Sequence, residues 1–373
     1  METIRVLHIN AGSGIFGGVS AFCLNIYRKI DREKVQFDFL TPNISTYEQY
    51  RTEIESYGGK TYQLGINSST NKGKIKLYFA LKGFLRSHKY DIIHINSGVL
   101  LFNCVVKAAC KRYSTAKIFV HSHSNGGRSE RKERFSEPLK RFLTKDVDTL
   151  LACSTSAAEY MFPQSKIGKV EIINNGIDVD KYKLNLAMRE KLRNEMNLSE
   201  KYVIGHVGRF TREKNHLFLI DLLKEIREEK EDAILLLIGE GELQGETREY
   251  AKEQGILESV LFLGARKDVN DLYQVMDVFV LPSKFEGFGI VNIESETSGL
   301  KCVVSDVVPE TVNVTGNVVR LSLDDSIEKW KKEVLNVPVV RKDLTKLIVG
   351  AGFDINTSVT ELTQLYVEAR DHE

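Results

Sequence analysis

The chain contains no apolar run of the roughly 18 residues that a membrane-spanning helix needs. Its first ten residues, METIRVLHIN, lack the basic start and long apolar core of a secretory signal. Its five cysteines (Cys23, Cys104, Cys110, Cys153 and Cys302) are scattered and form no C-x-x-C pair. That spacing argues against a disulfide framework or a thiolate metal site, and fits buried thiols in a reducing compartment. The expected location is therefore cytoplasmic. A strong overall charge is also missing, since 52 Lys and Arg face 51 Asp and Glu. The balance hides a split. Residues 1–178 hold 26 basic against 16 acidic residues, and residues 179–373 hold 26 against 35. The first half is thus expected to face something anionic, or else the two halves are simply solvated surfaces of opposite sign.

What is present is an alternation of short apolar runs with longer amphipathic ones, the pattern of βαβ units. Strands are expected at 5–9, 37–40, 61–64, 92–95, 118–120, 149–152 and 170–173, with helices at 19–30, 47–57, 75–88, 100–111 and 137–144. The pattern restarts near Tyr202, with strands expected at 203–207, 233–238, 260–262, 278–281 and 302–304. The polar, turn-rich segment INNGIDVDKYKLNL between the two series reads as a linker. The fold class is accordingly α/β, with two Rossmann-like doubly wound domains facing across a cleft. Residues 1–178 form the first domain and residues 179–355 the second. A C-terminal helix, 356–373, is expected to pack back on the first. In such sheets ligands bind at the carboxyl ends of the strands.

Three motifs suggest chemistry. Gly12, Gly14 and Gly17 have the G-x-G-x-x-G spacing of a dinucleotide loop after a strand. A dehydrogenase then needs an acidic residue at the end of the second strand. VQFDFLTP ends instead in Thr41-Pro42, with Asp38 mid-strand. HVGRFTREKN places Arg209 and Lys214 just after a strand, which suits either a diphosphate grip or a solvated basic turn. In LPSKFEGFGIVNIESET, Glu286, Gly287, Phe288 and Gly289 form a turn and Ile290 starts a helix, whose free NH groups can bind an anion. Glu294 is expected near two turns into that helix, where a carboxylate can accept hydrogen bonds from vicinal hydroxyls.

Taken in order, these motifs resemble a family-4 glycosyltransferase of the GT-B fold, of the bacterial capsule and exopolysaccharide type. The matching stretches are Gly17-Gly18, HSHSN (121–125), INNGID (173–178), VGRFTREKN, LLIGEGEL (236–243), FLGARKDVNDLYQVMDVFVLPSKFEGFG (262–289), Glu294 and GLKCVVSDVVPE (299–310). They span roughly residues 10 to 310. Capsule-type relatives often carry Leu-Pro where this chain has Phe288-Gly289, which bears on subgroup and not on donor binding.

The resemblance implies retaining, metal-independent transfer of a hexose or N-acetylhexosamine from a nucleotide sugar, by default UDP-linked. No cofactor or metal is expected. Arg209 and Lys214 would hold the donor diphosphate. Glu286, with the NH groups of Phe288, Gly289 and Ile290, would contact the sugar and phosphates. Glu294 would bind the ribose, the backbone at Arg266 would meet the base, and Gly17-Gly18 would approach from the first domain. The active-site histidine is His123, with His121 as second choice. Catalysis is thus expected from His123 or His121 together with Glu286, Arg209 and Lys214. The acceptor would be a saccharide, carried on a lipid diphosphate. No nucleic-acid partner is expected. The stretches 71–90 and 126–143 mix basic with apolar residues, so an anionic membrane surface is a further partner, or these are ordinary solvent-exposed helix faces. A sugar-nucleotide isomerase or phosphorylase on the same scaffold, an NAD-dependent dehydrogenase, and a non-catalytic lectin-like protein are the alternatives.

Overall fold

A computed structural model describes residues 2–10, 18–43, 47–124, 126, 136–338 and 340–371. The chain divides into two compact units, Met1–Gly176 with Ile355–Glu373, and Ile177–Asp354. The first is built on seven strands: β1 (Ile4–Asn10), β2 (Val35–Thr41), β3 (Thr61–Gln63), β4 (Ile92–Asn96), β5 (Lys117–Ser122), β6 (Thr149–Ala152) and β7 (Val170–Ile172). Their order is β3-β2-β1-β4-β5-β6-β7, and the pairs are parallel. The second is built on six: β8 (Tyr202–Val207), β9 (Ala233–Ile238), β10 (Val260–Phe262), β11 (Val278–Leu281), β12 (Lys301–Ser305) and β13 (Val318–Leu321). Their order is β10-β9-β8-β11-β12-β13, again parallel. Both are doubly wound sheets. The strand order reverses between β1 and β4 in one and between β8 and β11 in the other, which is where such sheets open for a ligand.

Parallel strands buried on both faces read as continuous apolar runs. That is why AILLLI (β9) and VFVL (β11), both wholly buried, are plain in the sequence. β13 was not expected. It lies at the sheet edge and buries only Val318 and Leu321 of VVRL. The boundary between the units, at Gly176 and Ile177, falls inside the expected linker, but the part after it is structured. Ile177 and Val179 are buried in the second unit's core, and Val179–Tyr182 is a short helix. The helix expected at 75–88 starts earlier, as Asn71–Ser87, because Thr70 caps it and accepts a hydrogen bond from Gly73 N at 3.0 Å. The helix Ile355–Asp371 belongs to the first unit, and its Tyr366 is buried there. All five cysteines are free and buried.

Glycine fixes the loops at the carboxyl end of the second sheet. Gly239, just past β9, has φ +139, and a Cβ there would sit 2.1 Å from Gly208 O. Gly208 N donates to Ile238 O at 2.9 Å, and Gly239 N to Gly264 O at 2.8 Å. The loops after β8, β9 and β10 are thus laced backbone to backbone. Gly239→Ala adds backbone strain to an unrelievable clash, and should destabilise the second unit by about 3 kcal/mol or more. Gly245→Ala, in the helix Gln244–Glu253 with open space around it, should be neutral or stabilising by up to ~1 kcal/mol. Thermal unfolding followed by the single tryptophan, Trp330, reads both.

Candidate active site

The loops after β8 and β11 flank the strand-order switch of the second sheet, and the sequence places its cations and carboxylates on them. After β8 comes a 3-10 turn, Arg212–Lys214, then Asn215 in the left-handed region and the helix His216–Arg227. Lys214 Nζ meets Glu286 Oε2 at 2.5 Å, and both side chains are mostly buried. Ser283 Oγ donates to the same carboxylate oxygen at 3.3 Å. Lys284 N donates to Glu213 O at 2.7 Å and ties the two loops together. Arg209 stands exposed on the first of them. The structure therefore brings Lys214 and Glu286 into contact across 72 residues of sequence, with Arg209 on the same loop as Lys214.

Gly289, at φ +81, opens the helix Ile290–Thr297. A side chain there would be strained, and its Cβ would lie 3.3 Å from Glu286 Cγ. Phe288 turns inward and packs on Phe353 with ring centroids 5.7 Å apart, which leaves Gly287 and Gly289 backbone on its two sides. Glu294 is the fifth residue of this helix, so it stands one turn in and not two. Two tyrosines hold it. Tyr182 OH donates to Oε1 at 3.1 Å and Tyr273 OH to Oε2 at 2.9 Å. Burial pushes the Glu294 carboxyl up to about 7, against the pull of the Tyr273 and Tyr182 hydrogen bonds. Each carboxylate oxygen has two acceptor directions, so each keeps one for a hydroxyl. Tyr182 and Tyr273 were not singled out in the sequence. They lie 112 and 21 residues from Glu294, and only the fold joins them.

Behind Lys214 sits a second unforeseen pair. His206 is fully buried on β8, and its Nδ1 lies 2.8 Å from Val280 O, so that nitrogen carries the hydrogen. His216 lies edge-on to it, with ring centroids 4.8 Å apart. Burial holds His206 well below the usual histidine range and His216 at about 4. Both rings stay neutral beside the Lys214 cation.

In the first unit, residues of β1, β4 and β5 stand side by side on one face. His8 pairs in register with His94, and Asn96 with His121. His121 is fully buried, its ring 5.4 Å from that of His94 and 4.0 Å from that of His123. His123 follows β5 and is only partly buried, which makes it the more accessible of the two. Its Nε2 lies 3.2 Å from Asn96 Oδ1. His94 Nδ1 lies 2.6 Å from Tyr366 OH. Burial holds His8 and His123 at about 3, and His94 and His121 well below the usual range.

Arg266 is exposed and spans Asp268 with two hydrogen bonds of 2.8 and 2.6 Å. Gly18 starts the helix Gly18–Lys29, with nothing within 4 Å of a Cβ placed on it. Gly12, Gly14, Gly17, Asn125 and residues 127–135 of the basic stretch 126–143 lie outside the described residues. Asp38 is consumed structurally, since its carboxylate meets Arg5 at 2.7 Å, Tyr90 OH at 2.8 Å and Lys60 N at 2.9 Å. It is not free for a dinucleotide ribose. An Asp-x-Asp spacing can hold a divalent metal, and the chain has two, Asp146–Asp148 and Asp178–Asp180. Asp148 Oδ2 accepts from Ile118 N at 2.8 Å, and Asp178 pairs with Lys181 at 3.7 Å. Among the described residues no group of three or more His, Cys, Asp or Glu could hold a metal ion.

Comparison with known proteins gives the family and the fold. Residues 16–181 match the model of Glycosyltransferase Family 4, and residues 188–336 that of Glycosyl transferases group 1. EpsF of Bacillus subtilis (strain 168), named as a glycosyltransferase, is 30% identical over 375 residues, covering 97% of this chain and 96% of EpsF. An Escherichia coli enzyme, UDP-Gal:alpha-D-GlcNAc-diphosphoundecaprenol alpha-1,3-galactosyltransferase, is 25% identical over 313 residues, 79% of each chain. The crystal structure of Anabaena HepE in complex with UDP and glucose shares the fold at a TM-score of 0.75 and 19% identity, covering 98% of this chain and 100% of that one. The chain is a glycosyltransferase of the GT-B fold, and belongs to the family-4 and group-1 glycosyltransferases over its first and second units.

Proposed function

We propose that this enzyme moves a hexose or N-acetylhexosamine from a UDP-sugar to a saccharide carried on a lipid diphosphate, in surface polysaccharide synthesis. The observation that carries the reading is the pre-assembled Lys214–Glu286 pair, with Arg209 on the loop that bears Lys214 and a glycine-opened helix end after Glu286. Arg209 and Lys214 take the diphosphate. NH groups from Phe288, Gly289 and Ile290 reach the sugar and phosphates, and Glu286 contacts the transferred sugar. Glu294, aimed by Tyr182 and Tyr273, accepts from the ribose hydroxyls. The backbone at Arg266 meets the base, and Gly17-Gly18 and His123 serve the sugar from the first unit. The names of two similar proteins support this choice, one using UDP-Gal on a diphosphoundecaprenol acceptor and one crystallised with UDP and glucose.

As the C1–O bond to the β-phosphate breaks, negative charge gathers on the leaving diphosphate. Preorganised cations stabilise that charge without reorganisation, which is the work a divalent metal does elsewhere. The acceptor oxygen bonds to C1 from the same face, its proton passes to the departing phosphate oxygen, and the configuration is retained. Thermal-shift titration with UDP-, GDP- and ADP-sugars tests the donor. Stabilisation by UDP-sugars is expected. Stabilisation by NAD(H) and by no sugar nucleotide contradicts it.

A lipid-borne acceptor calls for attachment on the cytoplasmic face of the membrane. Among the described residues no helix is long and apolar enough to cross one. The helix Asn71–Ser87 supports peripheral contact. It has no acidic residue, and it buries Leu77, Leu81 and Leu85 on one side. The opposite side presents Lys72, Ile75, Lys76, Phe79 and Arg86, with Ile75 62% and Phe79 60% exposed. Each apolar side chain inserted is worth about 1.5–3 kcal/mol. Ile75→Ser with Phe79→Ser should therefore weaken flotation with anionic vesicles by at least about tenfold, and high salt should weaken it further. Equal binding to neutral and anionic vesicles removes the idea.

A further inference from the structure

Asn96 lies at the carboxyl end of β4, and its amide contacts have only one self-consistent assignment. The carbonyl of His94 lies 3.0 Å from the side-chain nitrogen, and a carbonyl only accepts, so Nδ2 and not Oδ1 must face it. The second amide hydrogen points to His8 Nδ1, also at 3.0 Å, which makes that nitrogen a lone pair. Oδ1 is then left to His123 Nε2 at 3.2 Å. An amide oxygen cannot donate, so Nε2 carries the hydrogen. A neutral imidazole has one N–H, and Nδ1 of His123 is therefore a lone pair. That Nδ1 is buried and has no partner among the described residues. The Asn175 side chain lies against the same ring, although its Oδ1 makes no hydrogen bond of good geometry. The ring is packed between His121, at 4.0 Å, and Phe22, at 5.3 Å. A buried lone pair requires a donor, and a sugar hydroxyl is a donor of the right kind.

We propose that Asn96 is a positioning residue that holds His123 as its Nε2–H tautomer, so that Nδ1 accepts a hydrogen bond from a hydroxyl of the bound sugar. The identity of the hydroxyl rests on the glycosyltransferase reading above, whereas the tautomer does not. His123 then orients the sugar and gives no proton to it, which agrees with the acceptor proton leaving on the phosphate.

Nitrogen-15 NMR of the histidine side chains tests this, with the His123 signal identified by its loss in His123→Gln. In the intact protein Nε2 should be protonated and Nδ1 not. Asn96→Leu should release a mixture of tautomers and lower kcat by about tenfold, the loss of one aligned hydrogen bond. UDP affinity should stay unchanged, because the nucleotide contacts lie in the second unit. Asn96→Asp, which keeps an acceptor opposite Nε2, should keep the tautomer. A hydrogen on Nδ1 in the intact protein, or an Asn96→Leu variant that keeps both the Nε2–H tautomer and full turnover, overturns the proposal. If no sugar nucleotide is turned over at all, the glycosyltransferase reading fails while the NMR result still decides the tautomer.

Discussion

Lys214→Ala should lower kcat by about 10²–10³, the range seen when one preorganised stabiliser of transition-state charge is removed. The reason goes beyond the loss of a cation. In the intact site Glu286 is held against Lys214 at 2.5 Å. With Lys214 gone, a mostly buried carboxylate without its cation faces the incoming diphosphate, and like charges at this range repel strongly in a partly desolvated site. Two consequences separate this account from simple loss of structure. Donor binding should weaken along with kcat. Adding Glu286→Gln to Lys214→Ala should then recover part of the donor affinity, because the repelling charge is removed. Calorimetric titration with UDP reads both. Unchanged affinity in the single variant, or a double variant weaker by the sum of the two single losses, contradicts the assignment.

Acidification from pH 7 to pH 5 should unfold the first unit before the second. His8 and His123 are held at about 3 by burial, and His94 and His121 are lowered well below 6.5 for the same reason. An unfolded histidine takes up its proton near 6.5. Between that value and the folded one the unfolded chain binds more protons, so stability present above about 6.5 is lost as the pH falls. Each histidine contributes up to about 1.4 kcal/mol per pH unit, and four act together in one unit. The second unit has His206 and His216 acting in the same direction. It also has Glu294 and Glu296, both raised to about 7 by burial. Raised carboxyls give stability that is full below about 4.5 and lost as the pH rises through 7, so they oppose the two histidines in this window. Trp330, the only tryptophan, reports the second unit, and circular dichroism reports both. At pH 5 the dichroism should fall at a lower temperature than the Trp330 fluorescence changes. Coincident transitions with no pH dependence between 7 and 5 contradict this.

Much of the fold is legible in the sequence because doubly wound sheets write themselves as buried apolar runs separated by amphipathic helices. Among the described residues twelve of the thirteen strands coincide with an expected run, and the short edge strand β13, VVRL, does not. The start of the helix Asn71–Ser87 was also written, in Thr70 as its cap, but apolar spacing alone puts the start at Ile75. The site is legible where its residues cluster in sequence. Arg209 with Lys214, and Glu286 through Glu294, each occupy one loop and the helix after it. What is not legible is the support. Tyr182 meets Glu294 through a short helix that reads as polar linker, and Asn96 meets His123 through the pairing of β4 with β5. Strand register brings His8, Asn96 and His121 to one face, and register is a property of the sheet and not of any single strand.

The measurement closest to the central claim is sugar transfer itself, run in EDTA with a panel of nucleotide sugars and a saccharide on a lipid diphosphate. The anomeric configuration of the product is read by NMR. The account predicts transfer from a UDP-sugar that persists without divalent metal, retains the donor's configuration, and collapses in Lys214→Ala. Transfer that requires a metal, or a product of inverted configuration, contradicts it.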